Sequence, residues 1–215
     1  MKHIGIIGSG IVAKTLAGGF LSKGYSVKVG SGTPEKLESW KSELGKDLFI
    51  GTFAEAAAFG ETLVLAVKGT AAKSVLASIP DEFLEGKVVI DTCNPIADQP
   101  PVDGVLRFFT GPNSSLLEEL QAAAPKVRFV KAFSCIGAPH MVNPNFDGVR
   151  PTLFGCGDDT DAKVEVERIV TQFGFDWADM GGAVSARAIE PLCILWCIPG
   201  LTKGSWNHAF KLLEK

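Results

Sequence analysis

Histidine is scarce in this chain, with three residues in 215. His3 opens the first predicted strand and His208 falls in the predicted terminal helix, both ordinary surface or packing positions. His140 follows a glycine in Gly137-Ala-Pro-His-Met, where an imidazole can donate a proton or bind a substrate group. Cysteine comes in an odd number, at Cys93, Cys135, Cys156, Cys193 and Cys197, which argues against a disulfide framework in a chain of this length. Cys193 and Cys197 would share a helix face, but no other His or Cys pair stands near them. No metal site is expected, and the thiols read as small buried hydrophobes. Net charge is −3 with no block of like charge, which excludes nucleic acid and a membrane surface as partners. No apolar run approaches the roughly 18–20 residues of a membrane-crossing helix. Near the N-terminus a glycine loop interrupts the apolar run and no cleavage pattern follows, so the expected location is cytoplasmic. Internal repeats and low-complexity linkers are also missing.

Strand and helix patterns alternate through most of the chain. Apolar strand-like runs occur at Ile4–Ile7, Tyr25–Val29, Phe49–Ile50, Thr62–Val67, Lys87–Asp91 and Val127–Phe133. Helices are predicted over Pro34–Leu44, from Thr52 across Ala54–Ala58, over Ala71–Ser78 and over Ser114–Ala124, where Pro125 stops the last. Continuous apolar strands such as Thr62–Val67 suit burial on both faces of a parallel sheet. From Pro151 the rhythm changes. A strand at Thr152–Gly155, a helix over Asp161–Phe173 and a strand at Phe175–Met180 precede a mainly helical end, Val184–Leu213, broken at Pro199-Gly200. Alternating βα units imply an open sheet with helices on both faces.

The most informative stretch is Gly8-x-Gly10-x-x-Ala13, which follows the first strand and opens a helix marked by Ile11, Val12, Leu16 and Phe20. Gly8 permits a tight turn, Gly10 lets a pyrophosphate approach the backbone, and Ala13 lets the helix pack close to the strand. The phosphates would rest on the helix N-terminus. This makes the fold class α/β: a Rossmann-type doubly wound, mostly parallel sheet with a small, mainly helical C-terminal part. Residues 1–150 are expected to form the dinucleotide-binding domain, and 151–215 to pack over the cofactor cleft. The second strand ends in Gly30-Ser31-Gly32-Thr33 with no acid before Glu35. A carboxylate there would select NAD through the ribose hydroxyl. Its absence, with the hydroxyls of Ser31 and Thr33 and the ammonium of Lys36, favours the 2′-phosphate of NADP(H).

The chain resembles the deazaflavin (coenzyme F-420)-dependent NADP oxidoreductases and their uncharacterised bacterial dinucleotide-binding relatives, and is similar to the cytosolic reductase domain of the six-transmembrane metalloreductases. The resemblance rests on Ile-Gly-Ile-Ile-Gly-Ser-Gly at 4–10, Gly-Ser-x-x-Pro-Glu-Lys at 30–36, Asp-Thr-Cys-Asn-Pro at 91–95, Val-Lys-Ala-Phe-Ser-Cys-Ile-Gly at 130–137, Gly-Asp-Asp at 157–159 and Ala-Arg-x-Ile-Glu-Pro-Leu at 186–192. It implies that Gly8, Ser9, Gly10, Ile11 and Val12 hold the pyrophosphate and that Ser31, Thr33 and Lys36 hold the 2′-phosphate. Val67 and Lys68 would pass the nicotinamide ribose, with Asn94, Pro95 and Ala132 nearby. Ser134, Cys135, Ile136 and Gly137, with His140 beyond, would line the cleft where nicotinamide meets a flavin or deazaflavin. The family usually carries Arg where this chain has Gly32.

Direct hydride transfer needs little acid–base machinery, and no catalytic triad is evident. Two alternatives remain. One is an NADPH-dependent reductase of a small keto or imine substrate, for which His140, Lys68 or Lys131 would have to donate a proton. The other is a non-catalytic NADP(H)-sensing module. Arg187 and Glu190 are spaced to pair on one helix face. The apolar C-terminal residues, including Trp196, Trp206, Phe210, Leu212 and Leu213, read as core or as the interface of a homodimer. The expected partner is a small-molecule redox acceptor.

Overall fold

A computed structural model describes residues 2–214. Six strands, β1 (His3–Ile7), β2 (Ser26–Gly30), β3 (Leu48–Gly51), β4 (Thr62–Leu65), β5 (Val88–Asp91) and β6 (Arg128–Lys131), form one sheet in the order β3-β2-β1-β4-β5-β6. Every pairing is parallel. The chain order reverses between β1 and β4, and a crevice opens at the carboxyl ends of such a pair. Helices α1 (Ile11–Ser22), α2 (Ser39–Leu44), α3 (Phe53–Phe59), α4 (Gly69–Ala77) and α5 (Leu116–Ala123) connect the strands.

Side chains alternate between two apolar layers, as a sheet covered on both faces requires. One layer gathers Ile4, Ile6, Val27, Val29, Val64, Ile90 and Val130 under α1 and α6 (Thr160–Gln172). The other gathers Ile7, Leu63, Leu65, Val89 and Phe129 under α4 and α5. Local signals set the helix ends. Thr52 and Glu55 form a reciprocal capping box on α3, and Ser115 Oγ accepts the Glu118 N–H at the start of α5. The stretch predicted as one helix over Pro34–Leu44 is divided, with a 3₁₀ turn at Pro34–Leu37 followed by α2.

Beyond residue 150, β7 (Thr152–Gly155) and β8 (Asp176–Asp179) pair in parallel with α6 between them. An antiparallel bridge from Lys131 to Cys156 joins this unit to the end of β6. The first apolar layer runs on across that junction: Phe133 packs against Phe173 and Phe175.

The C-terminal end departs most from expectation. Helices α7 (Ala186–Ile189) and α8 (Pro191–Lys203) are regular, and α8 continues through Pro199-Gly200 without breaking. The carbonyl that Pro199 leaves without a donor is that of Leu195, a residue 55% exposed, where water can take the bond. The helix ends at Gly204, whose φ of 69° supplies the left-handed cap. After it, 205–214 is a strap without helix. Trp206 packs on Trp196, His208 stacks on the Trp196 ring, and Phe210 O accepts the Thr152 N–H of β7. Apolar spacing alone made this segment look helical; ring packing holds it extended instead. By length and composition, Ala183–Lys203 also reaches membrane-crossing size, contrary to the sequence expectation. In the fold this stretch is divided between α7 and α8, and Cys193, Trp196 and Gly200 are buried.

Candidate functional site

A cavity of about 610 Å³ opens at the carboxyl ends of β1, β4 and β5. Its walls are Gly8–Val12, Phe53, Ala66–Thr70, Thr92–Asn94, Ile96 and Asp98. The two glycines of the first turn do different work. Gly8 has φ +141°, and a Cβ there would lie 2.1 Å from Ala66 O, so both the turn and the close packing demand glycine. A Cβ on Gly10 would meet nothing within 4 Å. That space belongs to the cavity. The α1 N-terminus above it has no side-chain cap and no acid in its first turn, and the same holds for α4 at Gly69. Two helix N-termini without side-chain caps therefore border one cavity, an arrangement suited to a diphosphate.

The far wall is built at the ends of β5 and β6. Asp91 Oδ1 accepts the Cys93 N–H at 2.9 Å. Asn94 Nδ2 donates to Ser134 O at 2.7 Å. Asn94 Oδ1 and Ser134 Oγ are both buried without a partner. Phe133, between the β6 end and Ser134, sits at φ +59°, a strained conformation for a bulky residue. Behind this wall lies a fully buried ion cluster. Lys131 Nζ is 2.6 Å from Asp91 Oδ2, 2.8 Å from Glu190 Oε1 and 2.8 Å from Cys93 O. Burial alone would depress this ammonium, but the two carboxylates outweigh it and hold its pKa above the ordinary lysine value. Burial raises the Cys93 thiol and pushes Cys135 up to about 12. Neither is a thiolate nucleophile at neutral pH.

Of the residues singled out in the sequence, Gly8, Ser9, Gly10, Ile11, Val12, Val67, Lys68 and Asn94 meet at this one cavity. Pro95 and Ala132 are buried beside it rather than in its lining. Ser31 is buried and its Oγ accepts the Thr33 N–H at 3.1 Å, while Thr33 and Lys36 are exposed past the end of β2. Ser134, Cys135 and Ile136 are buried. His140 lies in a short turn with its ring 5.1 Å from Phe146 and contributes nothing to the cavity wall.

Three expectations are corrected. Gly137 does not offer its backbone to a flat ligand, because a Cβ there would lie 2.5 Å from the Trp196 ring; the ring it accommodates belongs to α8. Arg187 and Glu190 do not pair. Arg187 reaches Glu118 at 2.6 Å, and Glu190 turns inward to Lys131. His208 is not on a helix; its Nε2 is 2.8 Å from Trp196 O.

Sequence reasoning missed Phe53, Ala66, Thr70, Thr92, Cys93, Ile96 and Asp98 in the lining, and the charge cluster behind it. A signal for the cluster was available. Asp91 and Lys131 each end an apolar run, and they face each other in the β5–β6 register. Among the described residues no His, Cys, Asp and Glu group is arranged to hold a metal ion.

Comparison with known proteins is consistent with this geometry. Residues 3–95 match the family described as NADP oxidoreductase, coenzyme F420-dependent. A crystal structure from Arthrobacter sp. FB24, provisionally assigned as an F420-dependent NADP-reductase, superposes with a TM-score of 0.91 at 28% identity, over 100% of both chains. The metalloreductase STEAP3 of Rattus norvegicus is 33% identical over 202 residues, 92% of this chain. The chain spans 38% of that relative's length. An imine reductase from Aspergillus terreus, solved with NADPH4 and dibenz[c,e]azepine, shares the fold at 19% identity, with a TM-score of 0.66 over 94% of this chain and 63% of its own.

Proposed function

We propose, from the match of residues 3–95 to the F420-dependent NADP oxidoreductase family, that the chain transfers a hydride between NADP(H) and a flavin or deazaflavin. The observation that carries this reading is the cavity itself: a glycine turn with empty space over Gly10, flanked by two helix N-termini without side-chain caps. Nicotinamide, when bound, supplies or receives the hydride. The protein's part is to bind, orient and exclude water. First-turn N–H groups of α1 take the pyrophosphate. Ser31, Thr33 and Lys36 take the 2′-phosphate. Asn94 Oδ1, a buried acceptor with no protein donor, takes an N–H of the carboxamide and fixes the ring face. The cavity lining contains no histidine, and Lys131 is saturated by its own partners; of the three candidate donors only Lys68 lines the cavity, with its side chain 83% exposed and its Nζ 4.0 Å from Asp98 Oδ1. A carbonyl or imine reductase needs a proton donor beside the hydride acceptor; a flavin-type acceptor makes no such demand on the wall.

The test is to mix the protein with NADPH and a panel of acceptors and follow the nicotinamide absorbance. Oxidation with a free flavin or deazaflavin is expected. Turnover confined to carbonyls or imines, or tight binding without turnover, refutes this assignment.

A further inference from the structure

Lys131 and Glu190 carry charge in the fully buried interior. Replacing a buried ion cluster with well-packed apolar side chains is often neutral or stabilising, because desolvating the charges costs so much. This cluster holds one lysine and two carboxylates, with Lys131, Asp91 and Glu190 at most 1% exposed. The excess negative charge is met by the α5 N-terminus, where Glu190 Oε2 and Oε1 accept the N–H groups of Leu116 and Leu117, each at 3.0 Å.

The bonds converge on one peptide. The N–H of Cys93 is held by Asp91 Oδ1 and its carbonyl by Lys131 Nζ. Asn94 is the next residue, and it lines the cavity. Its amide reaches Ser134 O, and Ser134 lies three residues beyond Lys131 across the strained Phe133 backbone. Lys131 therefore anchors the Asn94–Ser134 contact from both sides. The two orphan oxygens, Asn94 Oδ1 and Ser134 Oγ, lie within this braced segment. Glu190 brings the junction of α7 and α8 into the same network.

We propose that Lys131 and Glu190 are positioning residues for the nicotinamide end of the dinucleotide, setting Asn94 through the Cys93 peptide and coupling its placement to the seating of α7 and α8. The proposal rests on the reading that the cavity binds NADP(H). Neither residue touches the ligand.

The test compares two ligands by calorimetry: NADPH, which spans the cavity, and adenosine 2′,5′-bisphosphate, which reaches only the adenosine end. Glu190→Gln keeps shape and removes charge, and Lys131→Met removes the ammonium. Each is expected to weaken NADPH at least tenfold and to leave the bisphosphate within twofold. Lys87→Met is the control for lost stability alone, since Lys87 Nζ bonds Ala57 O and Gly60 O away from the cavity; it should lower the melting temperature without changing the ratio of the two affinities. In the unaltered protein, NADPH but not the bisphosphate should slow hydrogen exchange in α7 and α8, a readout that needs no variant to fold. Equal weakening of both ligands, unchanged NADPH affinity in folded Glu190→Gln, or α8 exchange indifferent to NADPH overturns the proposal. Failure of the unaltered protein to bind either ligand overturns the NADP(H) reading itself, and the proposal with it.

Discussion

Gly10→Val separates binding from folding at a single position. In the ligand-free fold the added side chain enters open space, because no heavy atom lies within 4 Å of its Cβ. The backbone there, φ −86° and ψ −177°, is ordinary for any residue. Gly10 is the N-cap of α1, and glycine is moderately favoured over valine at that place, so a cost of about 0.5–1 kcal/mol is expected. For a domain of this size that lowers the melting temperature by about 1–4 °C. The effect on ligand is far larger. A branched side chain fills the volume through which a pyrophosphate reaches the first-turn N–H groups. Loss of two charge-assisted bonds at about 1.5–3 kcal/mol each comes to roughly 3–6 kcal/mol, at least a hundredfold in affinity. Calorimetric titration with NADP and NAD, beside a thermal melt of the same preparation, measures both quantities. Gly8→Ala is the contrasting case: φ +141° and a contact of 2.1 Å with Ala66 O predict collapse of stability before binding can be measured. Unchanged affinity of Gly10→Val for both dinucleotides would refute the placement of the pyrophosphate, whatever the melt shows.

Lys36→Ala should weaken NADP at least tenfold and leave NAD nearly unchanged, because one charge-assisted phosphate contact is worth about 1.5–3 kcal/mol; equal losses for both in titration would remove Lys36 from the 2′-phosphate site. Gly137→Leu should cost about 1–3 kcal/mol by overpacking against Trp196, read as a lower melting temperature; an unaltered melt would mean that Trp196 does not fill that space. Asp159 is held down to about 2 by hydrogen bonds from Arg128 and then the Ala162 N–H. A depressed carboxylate contributes stability above its unfolded pKa, near 4, and loses it as pH falls through the folded value. The side chain is 39% exposed, so solvent screening limits the contribution to about 1 kcal/mol. Asp159→Asn should therefore flatten the fall in melting temperature between about pH 4 and pH 2, and a parallel curve would show that the pair is inert.

Where the chain obeyed a period or a cap, its structure was legible from residues alone. The paired apolar faces of Ile6 and Ile7, or Val64 and Leu65, gave a sheet covered on both sides, and Gly8-x-Gly10 gave the turn. Both are local or nearly local. Asn94 and Lys68 reached the cavity because strand ends of an open parallel sheet gather at one edge, a consequence of topology that sequence can supply. What escaped were contacts set by distant segments. Nothing near Glu190 says that it will leave Arg187, three positions away on the same helix face, for a lysine at the end of β6. Nothing around Gly137 announces Trp196. The strap at 205–214 misled for a related reason: its apolar residues satisfy a helical pattern, and only the indole of Trp196 decides that Trp206 and His208 pack as rings on an extended chain.

The bonds from Glu190 to the α5 N–H groups span 73 and 74 residues of chain. During synthesis all six strands of the sheet are made before Glu190 emerges; until then the Leu116 and Leu117 N–H groups lack their acceptor, and Lys131 Nζ has only Asp91 and the Cys93 carbonyl. The six-stranded half is thus unfinished at its own edge until the last quarter of the chain arrives. A fragment cut near residue 150 would lose the second carboxylate from Lys131 and carry a bare apolar flank where Phe173 and Phe175 belong. A cut at this seam parts Lys131 and the α5 N–H groups from Glu190, and a graft of the six-stranded half onto another protein would have to bring a substitute for that carboxylate with it.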